Sequence, residues 1–326
     1  MGARIVEAEK GMAEAVERLR AGLLVAFPTE TVYGLGANAF DADAVQRIFT
    51  AKGRPSTNPL IVHMADPDGR TTLAHNWSET AQILADRFWP GPLTLVVERS
   101  PMVPDIVTAG GPTVGLRVPR HSVALELLRS SNLPLAAPSA NRSEEVSPTT
   151  AQHVADSLGP FVDDLLILDG GPCEVGLEST VVDVTTSPPR ILRPGMVTTT
   201  QIRAVIGNIT VRDVTPHENS LARSPGLMVR HYAPRNPVAV VSSSHLLMKL
   251  CSSDGLIHHS TPALWQIRRT RRMPTNAESY AAQLYDALRE MDNAEVERIV
   301  VEEPPHGPEW AAIHDRLRRA SAPKEA

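Results

Sequence analysis

Short apolar runs and amphipathic segments follow one another through the first two thirds of the chain. Leu23–Phe27, Leu60–Met64 and Leu93–Val97 are runs dominated by apolar side chains and have the length of buried strands. After Asp41, which suits a helix N-cap, the apolar residues instead repeat with the period of a helix. The same patterns predict further strands at Thr113–Val118, Pro134–Pro138, Leu165–Leu168, Thr180–Val184 and Arg190–Leu192, and helices at 12–21, from Ser78, from Ser122 to Leu128, from Ser147-Pro148 and over Thr200–Ile206.

The order of these elements predicts an α/β fold with two domains. Strands and helices interleave without strict alternation in residues 1–207, which favours one domain on a mixed sheet. The periodicity fades in residues 208–237, and this segment is expected to be a linker. From 238 to 326 a strand at Val238–Val241, a capping box at Thr275 and Glu278 before the helix Tyr280–Met291, and a strand at Arg298–Val301 predict a small second α/β domain.

Composition excludes several classes of protein. Of 326 residues, 42% are hydrophobic and 21% are charged, which is typical of a globular protein and excludes a disordered one. The two cysteines, Cys173 and Cys251, offer neither a disulfide framework nor a zinc spacing, and the charged start of the chain has no signal-peptide core. No apolar run approaches the roughly 20 residues of a membrane span. We therefore expect a cytoplasmic protein with no membrane association, and the net charge of −5 argues against a general nucleic-acid coat protein.

Two cations beside a glycine mark the first candidate site. Lys52 and Arg54 end the helix that follows Asp41, and cations in that position are most often a solvated helix end. The Asn58-Pro59 step and His63 on the next strand favour instead a shaped loop that binds a polyphosphate. The nearby sequence 34–39, GLGANA, matches G-x-G-x-x-A but follows its strand too late for a dinucleotide-binding turn.

Each of the other polar residues can have a structural or a functional role. No one of them, taken alone, decides between the two. Arg117 could be the outward-facing residue of a strand. Ser139 and Asn141 could belong to a turn, and Ser179 could simply favour β-structure. No order of Ser, His and Asp indicates a nucleophile, and His258-His259 has no third ligand nearby, so no metal site is predicted. Cations and small hydroxyls on shaped loops favour phosphoryl or nucleotidyl transfer by positioning and charge neutralisation.

The ordered motifs of the chain resemble the YrdC-type domain of the threonylcarbamoyl-adenylate synthases. The motifs are PTETVYGLG, KGRPSTNPLIVH, FWPGPLTLV, TVGLRVP, APSAN, GLESTVVD and LRPG. SPGLMVRHYAP resembles the linker of the longer members, which implies that residues 208–237 lie over the active site. LYDALREMD, RIVVEEPP and IHDRLRRA resemble the C-terminal domain of those members, whereas segment 251–274 resembles none of these motifs. The resemblance implies a twisted mixed sheet with flanking helices and a concave basic cavity, plus a small Rossmann-like domain.

The resemblance also implies an activity and its partners. Such an enzyme joins L-threonine, bicarbonate (or CO2) and ATP, with magnesium and no other cofactor, into threonylcarbamoyl-AMP and pyrophosphate. A separate transferase complex then passes the threonylcarbamoyl group to a tRNA adenosine beside the anticodon, and direct contact with tRNA is left open. The glycines near residue 34 are then expected to make room for substrate.

Site residues follow from the resemblance motif by motif. Lys52 and Arg54 would be catalytic. The ATP-binding residues would be Lys52, Arg54, Asn58, Thr113, Ser139, Asn141, Ser147, Arg193 and Tyr232, and the threonine-binding residues Thr31, His63, Arg117, Ala137 and Ser179.

Two alternatives belong to other functional classes. A YrdC-like carbamoyltransferase would act on carbamoyl phosphate with ATP, but such proteins carry additional domains, including cysteine clusters in hydrogenase maturation. A non-catalytic RNA-binding factor would use the basic cavity, but the chain has only 4% aromatic residues and a negative net charge.

Overall fold

Two sheets organise the computed structural model, which describes residues 2–211, 231–245, 250–260, 267 and 269–323. The strands are β1 Arg4–Glu7, β2 Val25–Phe27, β3 Gly34–Asn38, β4 Ile61–His63, β5 Leu93–Glu98, β6 Thr113–Arg117, β7 Leu135–Ala136, β8 Leu166–Asp169, β9 Thr180–Asp183, β10 Arg190–Arg193, β11 Thr210–Val211, β12 Val238–Val241, β13 Asp254–His258, β14 Arg269–Arg272 and β15 Arg298–Glu302. The helices are α1 Ala8–Arg20, α2 Ala42–Lys52, α3 Arg70–Leu73, α4 Glu79–Phe88, α5 Asp105–Thr108, α6 Ser122–Ser131, α7 Ala151–Leu158, α8 Thr199–Ile206, α9 Ala277–Asp292 and α10 Ala311–Ala320, with short 3-10 turns at Pro67–Gly69 and Pro308–Trp310.

The large sheet has eleven strands in the order β1-β8-β2-β3-β7-β4-β6-β5-β9-β10-β11. Parallel and antiparallel neighbours are mixed, as predicted: β4 runs parallel to β6, whereas β3 and β4 each pair antiparallel with β7. Separate buried clusters contain Val45, Ile48 and Phe49 of α2 in one case and Met12 and Leu19 of α1 in the other. The predicted α/β fold on a mixed sheet is therefore confirmed.

The small sheet is wholly parallel, in the order β12-β15-β13-β14. Strand β13 and the edge strand β14 lie in the segment 251–274 that resembled no family motif. Trp310 of the 3-10 turn and Ile313 and Leu317 of the last helix are buried in one cluster. Their cluster continues into the large sheet's domain through Val32 and Leu177. The two parts of the chain thus share a packed interface.

The division at 207 and 237 stays a prediction. Within the predicted linker, β11 pairs with β10 in the large sheet, and residues 212–230 lie outside the described residues.

One predicted helix start and three predicted N-caps are wrong. The helix predicted from residue 12 begins at Ala8. The N-caps expected at Ser122, Ser147 and Thr275 lie one to three residues away. His121 rather than Ser122 caps α6, because the His121 ring accepts the Val123 N–H. Thr150 caps α7, which therefore begins after the Ser147-Pro148 step. Asn276 caps α9 through the Ser279 N–H, so the predicted capping box does not form. In each case a neighbouring side chain reaches the exposed N–H groups of the first turn.

The glycine-rich segment 34–38 is a strand and not a nucleotide-binding turn. A Cβ on Gly36 would lie 2.7 Å from the Phe27 ring on the adjacent strand. Gly36 therefore makes room for Phe27, and the expectation that it makes room for substrate is wrong. Gly34, in contrast, lies on the wall of a cavity.

Candidate active site

A buried cavity lies where the ends of several strands and the segment at residue 231 meet. Its volume is about 50 Å³, and the buried side chains of His231 and Tyr232 form part of its wall. The lining residues are Thr29, Thr31, Val32, Gly34, Arg54, Ile61, His63, Arg117, Ala137, Pro138, Ser139, Glu178, Ser179, Arg193, His231 and Tyr232.

Arg117 is a buried cation on one side of the cavity. It is 3% exposed and ends β6, where it pairs with His63 of the parallel strand β4. Its guanidinium lies 2.8 Å from the Glu30 carboxylate, donates to Thr31 Oγ1 at 2.9 Å and donates to the Gly91 carbonyl at 3.3 Å. Arg117 is therefore not the outward residue of an alternating strand. Its fixed guanidinium suits a carboxylate ligand.

His63 is a neutral imidazole in the same wall. Burial, and secondarily the charge of Arg117, lower its pKa to about 3. The ring meets the Phe27 ring edge-on, and Nδ1 is buried without a hydrogen-bond partner. A buried lone pair or N–H that faces a cavity is costly unless a ligand satisfies it.

Arg54 and Arg193 bring two further cations to the cavity. Arg54 donates to the carbonyls of Asn58 at 3.2 Å and Pro59 at 3.0 Å, and burial lowers its pKa only to about 10. Arg193 donates to the Ser179 carbonyl and to Ser179 Oγ, both at 3.1 Å. Both guanidiniums are held by backbone contacts, which is the preorganisation that charge stabilisation requires.

Lys52 is buried behind the cavity wall and is not a solvated helix end. The residue is 2% exposed, and Gly53 at φ 59° terminates its helix. Its ammonium donates to the carbonyls of Ser139, at 2.6 Å, and Asn141. Burial, and then the charge of Arg54, hold the pKa of this ammonium well below its usual range. Lys52 thus ties the helix end to the 139–141 loop.

Gly195 permits a close approach between the loop after β10 and the start of β9. A Cβ at this position would lie 2.3 Å from the Thr180 backbone nitrogen and 2.7 Å from the Ser179 carbonyl carbon. Ser179 Oγ hydrogen-bonds Thr94 Oγ1 at 2.7 Å. The glycine therefore sets the separation of Arg193 from Ser179.

Tyr232 covers the cavity from the side of the small domain. It is 1% exposed and has φ 60°, a left-handed conformation that is unusual for a bulky residue and is often found at functional sites. Its ring stacks on Tyr285 of α9 at 5.8 Å and lies under the Arg316 guanidinium at 5.1 Å. Burial is the main cause that lowers the pKa of the neighbouring His231 to about 3.

The structure brings most of the predicted site residues to one place. The cavity wall contains Thr31, Arg54, His63, Arg117, Ala137, Ser139, Ser179, Arg193 and Tyr232, whereas Lys52, Asn58, Thr113, Asn141 and Ser147 are not on it.

Three of those five contact residues of the wall. The Asn58 carbonyl accepts from Arg54 Nε at 3.2 Å. Lys52 contacts Ser139 and Asn141, and Ser147 Oγ donates to Glu178 at 2.6 Å. Thr113 starts β6, four residues or roughly 13 Å from Arg117 at the other end of that strand.

Sequence reasoning missed Glu30, Glu178 and His231. Glu30 and Glu178 are buried carboxylates, one beside Arg117 and the other on the cavity wall. Glu30 is the one charged residue of PTETVYGLG, and Glu178 lies between small and apolar residues in GLESTVVD, which ends in Asp183. A carboxylate among residues that are expected to be buried needs a cation nearby. This was the feature of the sequence that could have identified both glutamates.

Within the described ranges, no group of three or more His, Cys, Asp or Glu side chains is arranged to hold a metal ion. No helix among them is long and apolar enough to cross a membrane.

Comparison with known proteins covers almost the whole chain. The model of the Sua5/YciO/YrdC family, described as telomere recombination, matches residues 17–195, and a model described as threonylcarbamoyl-AMP synthase, C-terminal domain, matches residues 197–322. The threonylcarbamoyl-AMP synthase of Pyrococcus abyssi is 42% identical over 313 residues, covering 93% of this chain and 92% of the relative. That of Bacillus subtilis is 43% identical over 329 residues, covering 95% and 92%.

A solved structure is similar over the same extent. The crystal structure of P. abyssi Sua5 complexed with L-threonine superposes with a TM-score of 0.90 at 41% identity, covering 98% of this chain and 96% of that one.

Proposed function

The chain belongs to the threonylcarbamoyl-AMP synthases of the Sua5/YrdC family, and we propose that its cavity binds L-threonine beside the nucleotide on which the reaction takes place. The observation that carries the proposal is the convergence of Arg54, Arg117 and Arg193 on one buried cavity. Three fixed cations suit a reaction whose substrates are a carboxylate and a polyphosphate.

The threonine side is the end where His63 pairs with Arg117. Arg117 would bind the α-carboxylate, because Glu30 and Thr31 fix its guanidinium. Thr31, the neutral His63 and Ser179 would contact the amine and the side-chain hydroxyl, with the Ala137 backbone closing the pocket. These groups satisfy both donors and acceptors of a small polar amino acid.

The ATP side contains Arg54 and Arg193, with Ser139 on the same wall. Lys52 would act there by holding the carbonyls of Ser139 and Asn141, and so the loop, in place. Ser147 would contribute through its hydrogen bond to Glu178 on the cavity wall. Asn58 would act through the Arg54 guanidinium that its carbonyl holds, and Thr113 would reach the distant end of the nucleotide.

The chemistry needs no protein nucleophile. The threonine amine adds CO2 and loses a proton to give a carbamate. A carbamate oxygen then attacks the α-phosphorus of ATP, forming a P–O bond while the bond to the β-phosphate breaks and pyrophosphate leaves. Negative charge builds up on both products, so Arg54 and Arg193 lower the barrier by preorganised charge.

Magnesium would enter with the nucleotide. Among the described residues no cluster of carboxylates is arranged to hold it, which fits an ion bound through ATP phosphates and water. It would neutralise the phosphate charge. We further propose that the protein acts in the cytoplasm and hands its product to a tRNA threonylcarbamoyl transferase complex.

Admitting ATP requires the cover at Tyr232 to move. About 50 Å³ is far smaller than a nucleotide, and Tyr232 and His231 form the wall on that side. The same residues, once closed again, would exclude water from a carbamate and an adenylate that both hydrolyse.

Pyrophosphate release tests the proposal. Purified protein should release pyrophosphate only when L-threonine, bicarbonate and ATP are all present, and mass spectrometry should find threonylcarbamoyl-AMP. Release without threonine would contradict it. A product formed from carbamoyl phosphate in place of threonine and bicarbonate would instead indicate the carbamoyltransferase, and salt-dependent RNA binding without turnover would indicate the RNA-binding factor.

A further inference from the structure

Helix α10 of the small domain buries a charged side chain against the large domain. Arg316 is the largest fully buried side chain among the described residues, with none of its surface exposed. Buried arginines are rare unless they are paired, so its contacts indicate what it does.

The Arg316 guanidinium joins three segments that surround the cavity. Nε donates to Glu178 Oε2 at 2.8 Å, and Nη1 donates to the Pro194 carbonyl at 3.1 Å. The guanidinium also lies 5.1 Å from the centre of the Tyr232 ring. Asp315 holds it from its own helix, accepting from Nη1 at 2.8 Å.

Glu178 carries the negative charge that Arg316 neutralises. This carboxylate lines the cavity with Arg54, accepts from Ser147 Oγ at 2.6 Å and accepts from Tyr285 OH at 3.0 Å. Burial alone would raise the pKa of its carboxyl, but the charges of Arg316 and then Arg193 lower it to about 2. Glu178 is therefore ionised at neutral pH on a wall that must accept ATP and release pyrophosphate.

We propose that Arg316 is a positioning residue for the nucleotide: it neutralises Glu178 so that this carboxylate does not repel the phosphates, and it thereby makes ATP binding depend on the docked small domain. A lone carboxylate at this low-dielectric wall would oppose a polyphosphate strongly. The inference rests on the proposed function, because it concerns the ATP side of the same cavity.

Charge-removing variants test it. Arg316→Met removes the charge, and Arg316→Gln removes it while keeping N–H donors for Glu178, which guards against a variant that fails to fold. In both, calorimetry with a nonhydrolysable ATP analogue should show affinity reduced by about tenfold or more. The KM for ATP should rise by the same factor, while threonine affinity measured without nucleotide stays within about twofold.

A second substitution separates charge from packing. In Glu178→Gln/Arg316→Met the carboxylate is also gone, so analogue affinity should return to within about threefold of the wild type. Arg298→Met is the matched control, because Arg298 pairs with Asp254 at 2.7 Å within the small sheet. It should lower stability without changing analogue affinity.

Three outcomes would overturn the inference. These are folded Arg316 variants that bind the analogue as the wild type does, a double variant no better than Arg316→Met, and an equal loss in Arg298→Met. Because the calorimetry needs no turnover, its comparison stands even if the wild type makes no threonylcarbamoyl-AMP, which would contradict only the proposed function.

Discussion

Glu30 and Arg117 form an ion pair of 2.8 Å in which both side chains are almost wholly buried. The pair lies at the end of β6, where Arg117 also donates to Thr31 on the cavity wall. A ligand carboxylate placed against Arg117 would therefore meet a cation that is already neutralised. Threonine recognition then depends on the shape of this site as much as on its charge.

Glu30→Gln should destabilise the protein and strengthen the effect of threonine. The substitution leaves Arg117 buried without its counter-charge, which costs about 3 kcal/mol of the free energy of unfolding. The threonine carboxylate would supply the missing charge, so added threonine should raise the melting temperature more in the variant than in the wild type. Glu174 forms an exposed ion pair with Arg120 at 3.7 Å. Glu174→Gln is the control and should change neither the stability nor the effect of threonine. A smaller threonine effect in Glu30→Gln would mean that Glu30 mainly orients Arg117.

Arg54→Ala and Lys52→Ala should both abolish turnover but differ in stability. Arg54 lines the cavity, so its loss should reduce kcat about 100-fold or more, as for other preorganised donors. Lys52 holds the 139–141 loop, so its loss should in addition lower the melting temperature. Arg47, exposed on the same helix α2, provides the control Arg47→Ala, which should retain wild-type kinetics. Wild-type turnover in either site variant would remove that residue from the active site.

Acid should destabilise the protein through its buried histidines. Burial lowers the pKa of His63 and His231 to about 3, whereas the unfolded chain has an ordinary value near 6.5. Between these values the unfolded state binds more protons, so stability is fully present above pH 6.5 and falls as the pH decreases below it.

At pH 5, about 1.5 pH units below the pKa in the unfolded chain, each such histidine should lower the free energy of unfolding by about 2 kcal/mol. Urea unfolding at pH 7 and pH 5 measures the difference. His63→Gln should remove about that much of the pH dependence, and His306→Gln, at an exposed site, should remove none. An unchanged pH dependence in His63→Gln would contradict a buried neutral imidazole.

Gly195→Ala should disturb both stability and threonine binding. Its methyl group would lie 2.3 Å from the Thr180 nitrogen, so the loop must shift, at a cost of about 2 kcal/mol. The shift moves Arg193 relative to Ser179, and the KM for threonine should rise. Gly69→Ala meets only the Met64 side chain, at 3.3 Å, and should be nearly neutral. Thermal unfolding and threonine titration check both, and equal effects at the two positions would contradict the close approach at Gly195.

Local sequence pattern predicted the elements well where apolar residues form a continuous run or repeat with the period of a helix. The strand at 93–97 and the helix after Asp41 could be read from apolar spacing, because period and cap are set by adjacent residues. The N-caps near Ser122 and Ser147 were misplaced, because several neighbouring side chains can cap and the choice depends on how the loop packs. The strand at Gly34 was hidden, since its glycines are explained by Phe27 on another strand.

The sequence by itself determined the fold class, the family and most residues of the cavity wall, because ordered motifs carry this information within short segments. Only the tertiary structure decided that Lys52 is a buried tether, that Glu30 neutralises Arg117, and that Arg316 reaches Glu178 from 138 residues away. The physical reason is that a buried charge is set by what lies across from it in space. Spacing along the chain does not record that partner.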